Sequence, residues 1–327
     1  MAKIIGRTGA IGIAVETTKG TGEAPALWVP VKSYSFDDKV EYVKNDSAMG
    51  RIEENNDADI IKLWGEGEYG GKIFINSVGA ELVAVFGGSP VSTERGVSNV
   101  FDHAYALVNS NDHDSMTIGY VDDIQDVRFP YAMVNSWSLE VAVDDYVMRT
   151  INLISKKSAT ATNTPAFTNE VEFIPSQVSL KLASNEAGLD GASAINVTSF
   201  NMEIAKNAEA LYVLGSNEPE SIINKQFSVT GTIELYFENT TQRAYVFANT
   251  HRAIRVDMVD TATDLGTGHN PQLRFDLNEV VFEEFERGWD ANDPLKQTLN
   301  FTALYSQADG EMLTARLTNL EDGTNYA

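Results

Sequence analysis

Trp137-Ser138-Leu139-Glu140-Val141-Ala142-Val143 alternates large apolar residues with polar or small ones. Successive side chains of an extended strand point to opposite faces, so Trp137, Leu139, Val141 and Val143 fall on one side and Ser138, Glu140 and Ala142 on the other. That is the pattern of a half-buried antiparallel strand. The same period of two recurs in Phe200, Met202 and Ile204, in Phe227 and Val229, in Ile233, Leu235 and Phe237, and in Leu273, Phe275 and Leu277. Residues of high β-propensity or charges separate these positions, so the chain reads as mainly β.

Two segments break the alternation. In Ser77 to Phe86, Leu82, Val83 and Phe86 form one apolar face, Ser77 is placed to cap, and Gly87-Gly88 stops the pattern, which predicts a short helix. A second is expected over Thr240 to Ala248, with Asn249 at its end.

Each predicted helix follows a pair of strands, and the recurrence extends to the residues. Val31-Lys32-Ser33-Tyr34-Ser35-Phe36-Asp37 matches Val197-Thr198-Ser199-Phe200-Asn201-Met202-Glu203 at an offset of 166, and the same offset sets Gly65 on Gly231. Late in each half, Thr150-Ile151-Asn152-Leu153 resembles Thr298-Leu299-Asn300-Phe301 at an offset of 148. The order of features indicates a tandem duplication: long strand, acidic loop, glycine-centred strand pair, short helix, late strands. Lys156 to Asn169, rich in Ser, Thr and Ala, reads as the linker. The expected domains are residues 1–160 and 161–327. At roughly 150 residues per domain, 327 residues also give two.

Composition removes several function classes. The absence of cysteine excludes disulfides, zinc-thiolate sites and a cysteine nucleophile, and suits a reducing compartment. With 47 acidic against 24 basic residues the formal charge is −23, the wrong sign for capturing nucleic acid or an anionic membrane surface. No apolar run approaches the roughly 20 residues of a membrane-crossing helix, and the glycine-broken amino terminus is expected to be unprocessed.

The tempting motifs have plain readings. Gly65-Glu66-Gly67-Glu68-Tyr69-Gly70 fits GxGxxG, but its glutamates would repel phosphate and no helix pattern follows, so the glycines mark a bulge or close backbone approach in a sheet. His103, His113, His251 and His269 show no metal-ligand spacing, and Asp112-His113-Asp114 is expected in a solvated loop before a Met116 to Val121 strand. The acidic groups at Asp122, Asp123 and Asp126, and at Glu283, Glu284 and Glu286, lack the glycine and terminal glutamate of an EF-hand loop and read as solvated faces. No catalytic, metal or cofactor-binding residues are assigned, and no enzyme is expected.

A set of ordered features resembles the major tail tube proteins of long-tailed, siphovirus-like bacteriophages in a tandem-duplicated form. It comprises Lys19-Gly20-Thr21-Gly22, then Pro30 to Phe36 followed by Lys39-Val40-Glu41-Tyr42, the acidic loop with Gly50, Gly65-Glu66-Gly67, Gly70-Gly71 and Phe86-Gly87-Gly88. The resemblance implies two tandem β-sandwich or barrel-like domains, each with one short α-helix. It also implies a structural virion protein made in the host bacterial cytoplasm, whose partners are other copies of itself and the tail initiator, tape-measure and terminator proteins. Three two-domain chains would form each pseudo-six-fold ring, and rings would stack into a tube whose lumen passes DNA without tight binding. Both halves are acidic, with 14 basic and 23 acidic groups in the first 166 residues and 10 and 24 in the rest. That balance serves either a lumen that does not hold its cargo or the solubility of unassembled subunits. The long loops Lys44 to Asp59 and Leu214 to Lys225 put forward Met49, Ile52, Leu214 and Ile222 as inter-ring contacts. The rival reading is a monomeric β-sandwich binding module for a surface or carbohydrate, using Trp28, Trp64, Trp137 and Trp289 on an open face.

Overall fold

The computed structural model describes residues 3, 5–96 and 99–327. Its first half runs β1 (Ala10–Val15), β2 (Leu27–Val29), β3 (Ser33–Tyr34), β4 (Asp37–Asn45), β5 (Asp57–Lys72), α1 (Ser77–Phe86), β6 (Val91–Glu94), β7 (Phe101–Ala106), β8 (Met116–Val121), β9 (Asp126–Ala142), β10 (Met148–Ser155) and β11 (Ala159–Thr160). The second runs β12 (Val178–Ala183), β13 (Ala194–Ile195), β14 (Ser199–Ala205), β15 (Glu209–Leu211), β16 (Ser221–Ile223), β17 (Ser228–Tyr236), α2 (Thr241–Phe247), β18 (Arg252–Val259), β19 (Gln272–Gly288), β20 (Lys296–Leu304) and β21 (Leu313–Asn319). The fold is mainly β with large antiparallel sheets, as the alternation required, and the two helices fall where the sequence placed them.

The backbone ladders of the two halves follow the same plan. β10 lies between β5 and β9, and β20 lies between β17 and β19. The first parts of β9 and β19 pair with β8 and β18, which pair in turn with β1 and β12. Both long strands bulge at matching places: the β9–β10 register shifts between Asn152 and Leu153, and the β19–β20 register shifts between Phe282 and Glu284, opposite Phe301 and Asn300. Leu153 faces Gly67 and Phe301 faces Gly231. Gly67, not Gly65, is therefore the counterpart of Gly231, and the offset of 166 gives way here to 164. Both glycines are required by close approach. A Cβ on Gly67 would meet the Phe36 backbone at 2.5 Å, and one on Gly231 would meet Asn201 O at 2.2 Å. The GxGxxG stretch is thus interior to β5.

Several local expectations are corrected. Asn76, not Ser77, takes the cap position of α1, and the carboxylate of Glu170, just past the linker, accepts both the Asn76 and Ser77 backbone N–H groups at 2.8 Å. A negative charge there also favours the helix dipole. Gly87, at φ 89°, closes the other end by donating to Val83 O, as a left-handed cap does. The alternation beginning at Trp137 stops at Ala142, and Val143 is exposed in the following turn. His113 is on a loop before β8 but is buried rather than solvated, because it packs over Gly87.

The ladders do not stop at the linker. β14 pairs with β9 from Ser199↔Ala142 to Ala205↔Ser136, and β21 reaches back to pair with β7. One hydrophobic cluster spans both halves, with the Trp137 and Phe275 rings 5.5 Å apart.

Candidate functional site

The β9–β14 seam turns eight segments into one continuous sheet, in the order β4, β5, β10, β9, β14, β17, β20 and the end of β19. Directly opposed residues share a face, so the register sorts every side chain. Tyr69, Ile151, Trp137, Leu139, Met202, Ile204, Val229, Ile233, Leu299 and Phe301 point inward and are buried.

The opposite face is polar. It carries Glu66 and Glu68 of β5, Asn152 of β10, Ser136, Ser138 and Glu140 of β9, and Asn201 and Glu203 of β14. It continues with Thr232 and Glu234 of β17, Asn300 of β20, and Glu284 and Glu286 of β19. Side chains on it bond to one another across strands: Asn152 Nδ2 donates to Ser136 Oγ at 3.1 Å, Thr232 Oγ1 to Asn300 Oδ1 at 3.1 Å, and Asn300 Nδ2 to Glu284 Oε2 at 2.8 Å. Lys72 and Lys296 lie at the strand ends, each matched to a carboxylate, at 3.0 Å to Glu172 and 2.7 Å to Glu234. The Lys296 hydrogen bond, joined by one from Thr198, holds the Glu234 carboxyl below its ordinary range. Glu284 and Glu286, singled out in the sequence as a solvated face, lie here; Glu283 sits at the β19 bulge.

This sheet is open at both ends. β4 pairs with β5 alone among the described residues, and β19 beyond Val280 pairs with β20 alone. Apolar side chains lie exposed at both: Val40, Tyr42, Val43, Ile60 and Ile61 on the β4–β5 hairpin, and Tyr236, Phe247 and Trp289 near the other edge. An unpaired edge is a template for another strand.

The profile of the phage tail tube protein family matches residues 6–303. The chain belongs to that family. As a tail tube protein it is a structural component of the virion tail, and the open sheet edges are the natural place to look for its contacts. No curated protein matches it.

The loop residues offered as contacts are dispersed. The β4–β5 ladder runs on to Asn45↔Asp57, which shortens the first loop to residues 46–56, with Met49 and Ile52 exposed on it. Leu214 is exposed on the β15–β16 loop, which crosses β5 through Leu63 N–H donating to Asn217 O at 2.7 Å. Ile222 is buried against Tyr131 and Met133 of β9, where it helps close the seam within the chain.

The four tryptophans do not share an open face. Trp137 and Trp28 are buried, Trp64 is half-buried and bonded to Glu66, and Trp289 is 75 % exposed. Among the described residues no group of His, Asp and Glu is arranged to hold a metal, and no helix is long and apolar enough to cross a membrane. Asp122 closes a tight turn by accepting the Ile124 and Gln125 N–H groups, and Asp126 anchors Asn163. The site that sequence reading missed is the seam, because alternation shows which face a strand buries but not which neighbour takes its edge.

Proposed function

We propose that the two halves are tandem copies, residues 1–160 and 161–327, and that three chains close into a ring of six such domains whose polar sheet faces line a lumen for DNA. The observation that carries this reading is the β9–β14 seam. It joins the first half to the second inside the chain, while the equivalent edges, β4 and the end of β19, stay open.

Transferring the register makes the proposal specific. In the seam Glu203 faces Ser138 and Ala205 faces Ser136. Asp37 and Lys39 hold the corresponding places on β4, and Glu286 and Glu284 on β19. Lys39 of one chain would then face Glu284 of the next, and Asp37 would face Glu286. A heterologous contact repeated with a closing rotation gives a ring and consumes both edges. The exposed apolar groups of the hairpin and of the Phe247–Trp289 end become buried in the same step.

The carboxylates of the polar face suit a conduit, since they repel phosphates and provide no counterion-releasing contacts. The role is structural rather than catalytic. Met49, Ile52 and Leu214, exposed on loops, are candidate contacts between stacked rings, and the initiator, tape-measure and terminator proteins of the tail are the expected partners. The binding-module reading loses its support because its tryptophans are not presented together. Electron microscopy of assembled tubes tests the proposal: cross-sections with three-fold symmetry and six similar lobes support it, whereas six full chains per ring overturn it.

A further inference from the structure

Where α1 ends, both halves of the chain contribute to a recess of about 110 Å³. His113, from the loop before β8, lines it together with Lys206, which follows β14, and Asn224, which follows β16. All three are more than nine-tenths buried, at 3 %, 1 % and 5 % exposure. Lys206 Nζ donates to Ala84 O in the last turn of α1, which occupies one of its three protons. His113 Nε2 lies 2.9 Å from Val108 O and so carries the ring proton, leaving Nδ1 as an acceptor. Among the described residues, that Nδ1 has no partner, and neither the Nδ2 nor the Oδ1 of Asn224 has one.

Buried polar atoms are ordinarily bonded, and three left unpaired around one recess call for an occupant that bonds them. Lys206 is the buried cation of the recess, with Asp114 the counter-charge it feels, while Lys225, which also lines the recess, is matched to Glu209 at 2.9 Å and Lys19, which acts on His113, is matched to Asp112. An occupant must therefore accept from an ammonium and an amide N–H while donating to an imidazole nitrogen.

We propose that this recess binds a free, protonated oxyanion, inorganic phosphate being the probe that fits. Its oxygens accept from Lys206 Nζ and Asn224 Nδ2, and its remaining O–H donates to His113 Nδ1. Sulfate has no proton to donate near neutral pH, and neither does a nucleic-acid phosphodiester, so the imidazole acceptor discriminates among anions of similar size. Bound there, phosphate would tie the loop before β8 in the first half to the strand ends of the second, independently of ring assembly.

The test titrates the full chain with sodium phosphate and sodium sulfate at equal ionic strength, by calorimetry and thermal melting. One phosphate per chain should bind, and melting should rise further in phosphate than in sulfate. Asn224→Leu should weaken phosphate about tenfold or more, as should Lys206→Met. If Lys206→Met fails to fold, Asn224→Leu decides alone, since its amide has no protein partner to lose. Equal effects of phosphate and sulfate would overturn the discrimination by His113, and an unchanged response in Asn224→Leu would overturn the assignment of phosphate to this recess. Displacement of phosphate by a short single-stranded oligonucleotide would overturn the assignment to a free anion.

Discussion

The two helices occupy matching places in the chain and live in different surroundings. Every residue of α1 is buried, whereas none of α2 is, and Phe247 at the end of α2 is 69 % exposed. Both halves cover α1: β7 carries Tyr105, whose hydroxyl donates to Gly79 O at 3.1 Å, and the ring of Tyr326, at the carboxyl end of the second half, packs on Gly79 while its hydroxyl donates to Asn76 O at 2.6 Å. Inside, Glu81 accepts from Arg149 Nε at 2.9 Å, from Trp137 Nε1 at 3.2 Å and from Tyr69 Oη at 3.3 Å. At the position of Arg149 the second half has Gln297, buried with both amide atoms unpaired among the described residues. The helix of the first half is thus covered within the chain, while the helix of the second stays uncovered, as do the β4 and β19 edges.

The largest test of this contrast breaks the Glu81 network. Glu81→Ala strands a buried guanidinium and should cost about 3–5 kcal/mol, read from urea unfolding. A loss under 1 kcal/mol would show that the network does not hold the first half together.

Next comes the seam, where the end of α1 is held by Lys206 while Val40 takes the matching place at the open edge. Burial, opposed by Asp114, pushes the Lys206 pKa down to about 7 from its ordinary 10.5. The unfolded chain therefore binds a proton that the folded chain lacks between these values. Stability should rise with pH from about 7 to 10, on the order of a few kcal/mol, and fall as pH drops through that window. In phosphate-free buffer Lys206→Met should flatten the slope, and an equally steep profile would assign it elsewhere.

Gln297→Leu should be neutral or stabilising by up to about 1 kcal/mol, since it removes two unpaired polar atoms from the core of the second half. A marked loss of stability would reveal a partner for that amide.

Much of this contrast lies beyond what the sequence displays. Period-two alternation located β9, β14, β17 and β19, and Gly87 and Asn249 marked the helix ends, because these signals depend on residues close in the chain. The Glu170 cap of α1 acts across more than 90 residues, and the burial of His113 and Ile222 depends on the halves folding together. The two-residue slip from 166 to 164 keeps side chains on the same faces, so periodicity alone could not detect it. The polar face was visible only as scattered glutamates until the ladders aligned them.

The smallest effects concern the open edge. Phe247→Ser should leave monomer stability within about 0.5 kcal/mol, as exposed positions do, yet impair tube formation seen by electron microscopy. Normal tubes would remove α2 from the interface. Glu286→Gln should favour association by roughly 0.2–1 kcal/mol per contact by relieving the like-charge pair with Asp37, measured as a lowered critical concentration. An unchanged or raised critical concentration would argue against that register.

The central claim, that β4 of one chain joins β19 of the next as β14 joins β9 within it, is open to direct chemical test because the chain has no cysteine of its own. Lys39→Cys combined with Glu284→Cys should yield, on mild oxidation of assembled tubes, a denaturing-gel ladder of monomer, dimer and trimer that ends at a circular trimer. A ladder continuing past trimer, or no cross-link in intact tubes, would contradict the account.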